Sequence, residues 1–193
     1  RLNSHNMSVI IVTGFNNKFY DNGATPYTDE GRMAYANFSK SFYDLYEANQ
    51  AQEIYNEFWG PQFGDRGNGP ADGLPEYYAP LLKTVYETIK KEHPDATLSF
   101  CVGHNDWSGY AGWRRDLFKL GALEYCDIIN LHQYGGVTRI SDECVEDVLR
   151  VKLDELKNDI MEFAPDKMNL PMWNTETGGN TSTNNNGSRE ETI

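Results

Sequence analysis

Five short apolar runs alternate with longer stretches of helical periodicity, and this alternation limits the fold more than any other feature of the sequence. The apolar runs cover residues 8–13, 51–55, 96–102, 127–133 and 168–173. The helical patterns cover residues 28–48, 74–93, 112–120 and 141–163. Strand-length runs separated by helices, with no hairpin turn between them, indicate parallel strands joined by right-handed crossovers. We therefore expect an α/β fold built on a parallel sheet.

The second helical pattern is the clearest of the four, and the last apolar run is the least clear strand. The helix is marked by an apolar stripe and by a proline near its start and another past its end: Tyr78, Leu81, Val85, Ile89, Pro75 and Pro94. The last run contains Pro171, which has no N–H to donate to a neighbouring strand. We keep it as the fifth strand because its position fits the alternation.

The composition excludes several classes of protein. The chain has 193 residues with 17 basic and 29 acidic side chains, a formal charge of −12 that argues against a nucleic-acid partner. No apolar run approaches the ~20 residues that span a bilayer, so we expect no membrane segment. No Gly-rich phosphate motif follows a strand, and no H-x-H, D-x-D or H-E-x-x-H cluster occurs. We therefore expect neither a cofactor nor a metal ion.

Two acidic motifs stand at the ends of predicted strands. Glu57 ends the sequence IYNE at 54–57, and Glu176 lies in WNTETG at 173–178. In α/β barrels the active site forms at the C-terminal ends of the strands. Enzymes that cleave a glycosidic bond usually have two carboxyl groups that face each other. One donates a proton to the leaving oxygen, and the other attacks or stabilises the oxocarbenium-like centre.

At these motifs the sequence resembles clan A of the glycoside hydrolases, retaining (β/α)8-barrel enzymes with Asn-Glu ending the fourth strand and Glu ending the seventh. DIINLHQYG at 127–135 is similar to the clan's sixth strand, which often carries H-x-Y. The stretch 25–42 resembles the helix before the Asn-Glu strand in the cellulase-like family 5 and the xylosidase-like family 39. The resemblance implies that Glu57 is the general acid/base, Glu176 the nucleophile and Asn56 a ligand of the sugar hydroxyl next to the reacting carbon.

The resemblance numbers the visible strands three to seven. It therefore implies an incomplete parallel (β/α)8 TIM-type barrel with about five βα units, forming one partial catalytic domain over residues 1–193. Residues 179–193 are predicted to be a polar segment that leads into a helix at the capping box 188–191. Such a sheet has two open edges, so we expect missing barrel segments from elsewhere, self-association at the edges, or a sequence that is part of a larger protein.

Further side chains are candidates for contact with a carbohydrate substrate. Alternation places Asn130, His132 and Tyr134 on one strand face, where His132 would line the site and Tyr134 would bond Glu176. A core histidine and a packing tyrosine are the alternative. The remaining candidates follow other strands or lie in loops, with one of the three tryptophans expected to stack on a sugar: Asn16, Trp59, His104, Asn105, Trp107 and Trp173. Glu53 shares a strand face with Glu57, and we interpret it as a buried structural carboxylate.

The leading hypothesis is a retaining glycoside hydrolase that cleaves a β-linked oligo- or polysaccharide by double displacement. The alternative is a catalytically incompetent barrel fragment, or a sugar-binding protein that retains the pocket. A carboxylate-dependent metal hydrolase is disfavoured by the missing metal motifs. The sequence identifies neither the sugar nor the linkage. For the localisation we favour a secreted or periplasmic chain.

Overall fold

The fold alternates five strands with four α-helices. The computed structural model describes residues 3–46, 49–60, 69–71, 73–103, 110–133 and 145–177. The strands are β1 (Val9–Thr13), β2 (Asn49–Ile54), β3 (Leu98–Cys101), β4 (Ile128–His132) and β5 (Met172–Glu176). The helices are α1 (Asp29–Leu45), α2 (Pro75–Glu92), α3 (Tyr110–Lys119) and α4 (Val145–Phe163). Short 3-10 helices span Asn3–His5, Asp21–Gly23, Ala122–Tyr125 and Pro165–Lys167.

The strands form one parallel sheet in the order β1-β2-β3-β4-β5, so chain order and sheet order coincide. Each helix packs against the next one along the chain. This is the arrangement that the strand–helix alternation predicts, and the α/β fold is confirmed. None of the helices in the described ranges combines the length and the apolar character needed to cross a bilayer.

The two faces of the sheet differ in chemistry. One face packs against the helices, and its side chains belong to the main core together with the predicted stripe of α2: Leu98, Phe100, Ile129 and Leu131 against Tyr78, Leu81, Val85 and Ile89. The intervening residues point to the other side, which we call the inner face. Ser99, Cys101, Asn130 and His132 lie there, and all four are buried. The period of two thus divides an apolar outer layer from a polar interior.

The sheet curls strongly. Ile10 and Val12 of β1 line the same open trough as Trp173 and Glu176 of β5, although three strands separate them. The trough measures about 530 Å³. Its walls are the inner face, so the described part of the chain forms a half-barrel that is open between β1 and β5.

The fifth strand begins later than predicted. The sequence indicated residues 168–173, but β5 covers Met172–Glu176. Pro165–Lys167 forms a 3-10 helix, and Leu170 N then donates to Lys167 O in a turn. Pro171 has no N–H to donate, but its carbonyl oxygen accepts a hydrogen bond from Ile129 N at 2.9 Å, and the pairing of β5 with β4 begins there. Glu176 is therefore the last residue of a strand, and the predicted segment 179–193 lies outside the described residues.

Candidate active site

The C-terminal end of β2 carries two carboxylates. Glu53 is fully buried within the strand, and Glu57 follows it with 12% of its side chain exposed. The backbone of Tyr55 and that of Glu57 have φ of 65° and 44°, a region that non-glycine residues rarely adopt outside functional or strained sites. The Tyr55 ring packs against Tyr35 of α1, with ring centroids 6.2 Å apart. Glu57 returns to the inner face, where Glu53 also lies.

His132 ends β4 and connects three carboxylates. Its side chain is completely buried. Nε2 lies 2.9 Å from Glu53 Oε1, and Nδ1 lies 3.0 Å from Glu57 Oε1. Nδ1 is also 3.6 Å from Glu176 Oε2. His132 thus lies buried on the inner face, and its ring joins the two predicted catalytic residues.

A bulge in β5 brings Glu176 to the inner face. Asn174 pairs with Leu131, but His132 pairs with Glu176, so Thr175 is an extra residue in the ladder. Strict alternation would turn Thr175 and Glu176 to opposite faces. With the bulge, Thr175 Oγ1 donates to Glu53 Oε2 at 2.9 Å while the Glu176 carboxylate still approaches His132. The bulge thus supplies two neighbouring side chains to one site.

The buried charge of Glu53 is compensated by hydrogen bonds. Besides Thr175, Asn130 Nδ2 donates to Glu53 Oε2 at 2.8 Å. Asn130 Nδ2 is in turn 2.9 Å from Ser99 Oγ. A carboxylate away from water needs such partners, because an unpaired buried charge is strongly unfavourable. The interpretation of Glu53 as a buried structural carboxylate agrees with this environment.

The electrostatics of His132 follow from the same contacts. Burial lowers the pKa of His132, but hydrogen bonds to Cys101, Glu53 and Glu57 outweigh burial and raise the pKa to about 12. Burial raises the pKa of the Cys101 thiol to about 11, and the nearby His132 opposes this only in part. Both directions favour the protonated forms, an imidazolium ring and a neutral thiol.

Two groups of potential donor atoms lie close together around His132. Glu53, Cys101 and His132 form one group, and Glu57, His132 and Glu176 the other, with one atom of each residue within 4.8 Å of the others. Metal ligation requires a neutral imidazole and a thiolate. Here both ring nitrogens face carboxylate oxygens at hydrogen-bond distance. The donors thus form a hydrogen-bonded network around His132 that a metal ion would have to displace.

The tryptophans differ in their surroundings. Trp59 is 8% exposed and lies edge-on to Trp113 and His132, with ring centroids 5.5 and 6.3 Å away. Trp59 therefore packs inside the protein, which disfavours it as a platform for a sugar ring. Trp173 is partly exposed and lines the trough. Of the two, Trp173 is the one that is accessible from the trough, which Glu176 also lines.

Other predicted residues lie at varying distances from the carboxylates. Asn56 is buried directly before Glu57. Asn16 lines a separate cavity of about 230 Å³ at the end of β1, not the trough. Four further candidates lie outside the described residues: His104, Asn105, Trp107 and Tyr134.

Sequence reasoning missed the contributions of Thr175 and Cys101. Thr175 was part of the quoted WNTETG motif, but its approach to Glu53 depends on the bulge, for which the sequence carries no signal. No motif in the sequence singles out Cys101. Its position on the inner face follows from alternation with Phe100, which would have placed its thiol near His132.

Comparisons with known proteins agree with the half-barrel. No protein-family model matches the sequence, and a search of curated proteins finds no significant match. Solved structures do match. A family 39 glycoside hydrolase from the gut symbiont Bacteroides cellulosilyticus WH2 has a TM-score of 0.63 and 25% identity, over 94% of this chain and 38% of that one.

Two other matching structures are more distant in sequence. A monomeric beta-xylosidase from Caulobacter crescentus CB15 has a TM-score of 0.56 and 17% identity, over 89% of this chain and 38% of that one. The family 39 enzyme from Xanthomonas axonopodis pv. citri has a TM-score of 0.52 and 18% identity, over 78% of this chain and 30% of that one. The chain thus spans well under half the length of these structures. Its curled parallel sheet and these neighbours confirm the predicted incomplete TIM-type barrel and support the predicted resemblance to clan A glycoside hydrolases, while the resemblance to family 5 stays a prediction.

Proposed function

We propose that this part of the barrel carries both catalytic carboxylates of a retaining glycoside hydrolase, with Glu57 as general acid/base and Glu176 as nucleophile. The observation that carries the proposal is the approach of Glu57 and Glu176 at the C-terminal ends of their strands. One oxygen of each carboxylate lies within 4.8 Å of the other. Retaining glycosidases hold their two carboxyl groups about 5–5.5 Å apart, and inverting ones about 6.5–9.5 Å. The short separation therefore favours retention.

The proposed reaction has two displacements. In the first, Glu176 attacks the anomeric carbon and the bond to the leaving oxygen breaks, while that oxygen takes the proton of Glu57. In the second, Glu57 accepts a proton from water as the water oxygen attacks the same carbon and releases Glu176. The side chain of Glu176 is 34% exposed at the trough, so a sugar can approach it. Glu57 is more enclosed, beside His132.

A β-linked sugar is the proposed substrate class. The trough that Glu176 lines also offers a partly exposed indole, Trp173. An aromatic face of this kind stacks on the apolar side of a pyranose ring. One structural neighbour is a beta-xylosidase, so aryl β-xylosides belong in the first panel of substrates together with β-glucosides and β-mannosides.

The test compares leaving groups in matched variants. A dinitrophenolate leaves without a proton, whereas an alkyl alcohol needs one. Glu57→Gln should therefore lose on the order of 10²–10⁴-fold in rate on alkyl β-glycosides and much less on dinitrophenyl β-glycosides. Glu176→Gln should abolish turnover of both. Glu87→Gln, an exposed carboxylate on α2 with the same chemical change, should leave the rates unaltered.

Two results would refute the assignment. One is an equal loss for Glu57→Gln on both kinds of leaving group, and the other is wild-type turnover by Glu176→Gln.

A second candidate function has its own support, because the trough is open between β1 and β5 and Ile10 and Val12 are 43% and 46% exposed. A sugar-binding protein without turnover fits this openness. Sugar binding by the unmodified chain, with no hydrolysis of any glycoside, would favour it over the enzyme.

A further inference from the structure

The mechanism above uses Glu57 and Glu176 but leaves Glu53 unexplained. Glu53 is a completely buried carboxylate that accepts hydrogen bonds from Asn130 and Thr175 and lies 2.9 Å from His132. Asn130 and Thr175 both reach Oε2, which leaves Oε1 for the ring. Three strands, β2, β4 and β5, thus hold this carboxylate in one orientation behind the acid/base residue.

Counting protons at His132 indicates what Glu53 does. Each ring nitrogen faces a carboxylate oxygen, Nε2 at Glu53 and Nδ1 at Glu57. The ionised carboxylate of Glu53 only accepts hydrogen bonds. As the general acid, Glu57 carries its proton on the oxygen that faces the leaving group, so its Oε1 is an acceptor as well. A neutral ring has one N–H and would leave one of these two contacts without a proton. The geometry therefore suits an imidazolium.

We propose that Glu53 is a positioning residue that keeps His132 as an imidazolium, so that Nδ1–H holds Glu57 Oε1 in place opposite Glu176. This inference rests on the proposed role of Glu57 as acid/base. A buried imidazolium without a counter-charge would lose its proton, and the fully desolvated carboxylate of Glu53 supplies that charge. The ion pair of Glu53 and His132 then has no net charge while His132 donates its hydrogen bond to Glu57.

This arrangement favours acid catalysis in a specific way. A charged donor bonds a carboxylate more strongly than a neutral carboxyl group. The bond from Nδ1–H to Glu57 Oε1 therefore strengthens as Glu57 gives its proton to the leaving oxygen, and it stabilises the transition state more than the ground state. Because Glu53 balances the charge of His132, the pair adds no net positive charge that would remove the Glu57 proton beforehand.

The titratable groups that face His132 come from every strand around it. Within the described residues they are Glu53 and Glu57 at β2, Cys101 on β3 and Glu176 on β5. Cys101 is a neutral thiol, and Glu176 is farther from Nδ1 than Glu57 is, at 3.6 against 3.0 Å. Glu53 is therefore the strongest fixed counter-charge at Nε2.

The test is nitrogen-15 NMR of the whole chain with labelled histidine, because the number of ring N–H protons is read directly and without any substrate. We expect His132 to keep both ring protons from about pH 5 to about pH 9, where an unperturbed imidazole loses one. Glu53→Gln preserves the shape and removes the charge, so its His132 should titrate within that range. Thr175→Val is the matched control, since it deletes a hydrogen bond to Glu53 but keeps the charge, and its His132 should stay doubly protonated.

Each outcome decides the proposal. A single ring proton on wild-type His132 at neutral pH would overturn it, and this measurement stands even if Glu53→Gln does not fold. Two ring protons in Glu53→Gln up to about pH 9 would overturn it as well. If NMR agrees, kcat of Glu53→Gln on an alkyl glycoside should fall on the order of 10- to 100-fold with little change in KM, less than the full general-acid contribution of about 10²–10⁴. If NMR agrees but the wild-type chain has no activity, only the proposed function fails.

Discussion

His132 links the pH of the solution to the stability of the inner face. Its pKa in the folded chain is raised to about 12, above an ordinary value of about 6.5 for the unfolded chain. Below about pH 6.5 both states hold the proton, so the stabilising contribution is fully present. At higher pH the unfolded chain releases the proton while the folded chain keeps it, so the contribution declines and is lost as pH passes the folded pKa.

This predicts a falling free energy of unfolding between about pH 7 and about pH 10. Urea unfolding at several pH values measures it. Glu53→Gln should flatten the decline, because the variant brings the folded pKa of His132 closer to the unfolded one. Parallel pH curves for the variant and the wild type would contradict the assignment of this slope to His132.

At the scale of secondary structure, the predictability of the site depended on how regular each strand is. β4 is regular, and period-two alternation correctly placed Asn130 and His132 on the inner face. The sequence could not predict how Glu57 and Glu176 approach His132. Glu57 depends on left-handed backbone at the end of β2, and Glu176 depends on the bulge in β5. Both are local departures from regular strand geometry that carry no propensity signal in the sequence.

The contact between α3 and α4 depends on a buried ion pair. Arg114 is 2% exposed, and its Nε lies 2.8 Å from Asp159 Oδ2. Arg115 contacts the other oxygen of Asp159 from a more exposed position. Asp159→Asn should destabilise the fold by about 3–5 kcal/mol, because a buried guanidinium loses its carboxylate. Arg115→Met should lower stability much less than Asp159→Asn does, since exposed ion pairs contribute little.

Denaturant unfolding of the two variants tests this difference. A double variant, Arg114→Met with Asp159→Leu, completes the comparison. It should be more stable than Asp159→Asn alone, because it removes both buried charges together. Equal losses for Asp159→Asn and Arg115→Met would show that burial does not set the strength of this contact.

The first turn of α1 contains Gly31, a position at which the side chain of Asp21 obstructs a Gly→Ala substitution. A Cβ at Gly31 would lie 1.7 Å from Asp21 Oδ2. The Asp21 carboxylate accepts hydrogen bonds from Tyr27 N at 3.0 Å and from Thr28 Oγ1 at 2.6 Å, just before the helix. Gly→Ala within a helix normally stabilises by about 1 kcal/mol. Gly31→Ala should instead destabilise by about 1–2 kcal/mol, through loss of these hydrogen bonds.

A double-mutant cycle checks the cause. Asp21→Gly removes the obstructing carboxylate and suits the φ of 49° at that position. Gly31→Ala introduced into the Asp21→Gly variant should then be stabilising. Thermal unfolding of the four proteins gives the sign of each step, and a destabilising Gly31→Ala in both backgrounds would exclude Asp21 as the cause.

At the scale of the whole molecule, the half-barrel exposes surface that a closed barrel would bury. Within the described ranges β1 pairs with β2 alone and β5 with β4 alone. Ile10 and Val12 project from β1 into the open trough, and Phe38 of α1, 48% exposed, lines the cavity at the end of β1. Part of the apolar surface of α1 is therefore uncovered, whereas the predicted apolar stripe of α2, which has helices on both sides, is buried.

This exposure predicts that the 193-residue chain by itself associates through the β1 edge. Unpaired parallel edges with apolar side chains are templates for further strands, and an inward-pointing charge is the usual protection against pairing. Sedimentation velocity over a range of concentrations should show species larger than a monomer. Val12→Lys should shift the distribution toward the monomer, because it places a charge in the trough beside the edge. Val151→Lys, at a comparably exposed apolar position on α4, should leave it unchanged. A chain that sediments as a monomer at all concentrations, or equal effects of the two lysine variants, would rule out the β1 edge as the associating surface.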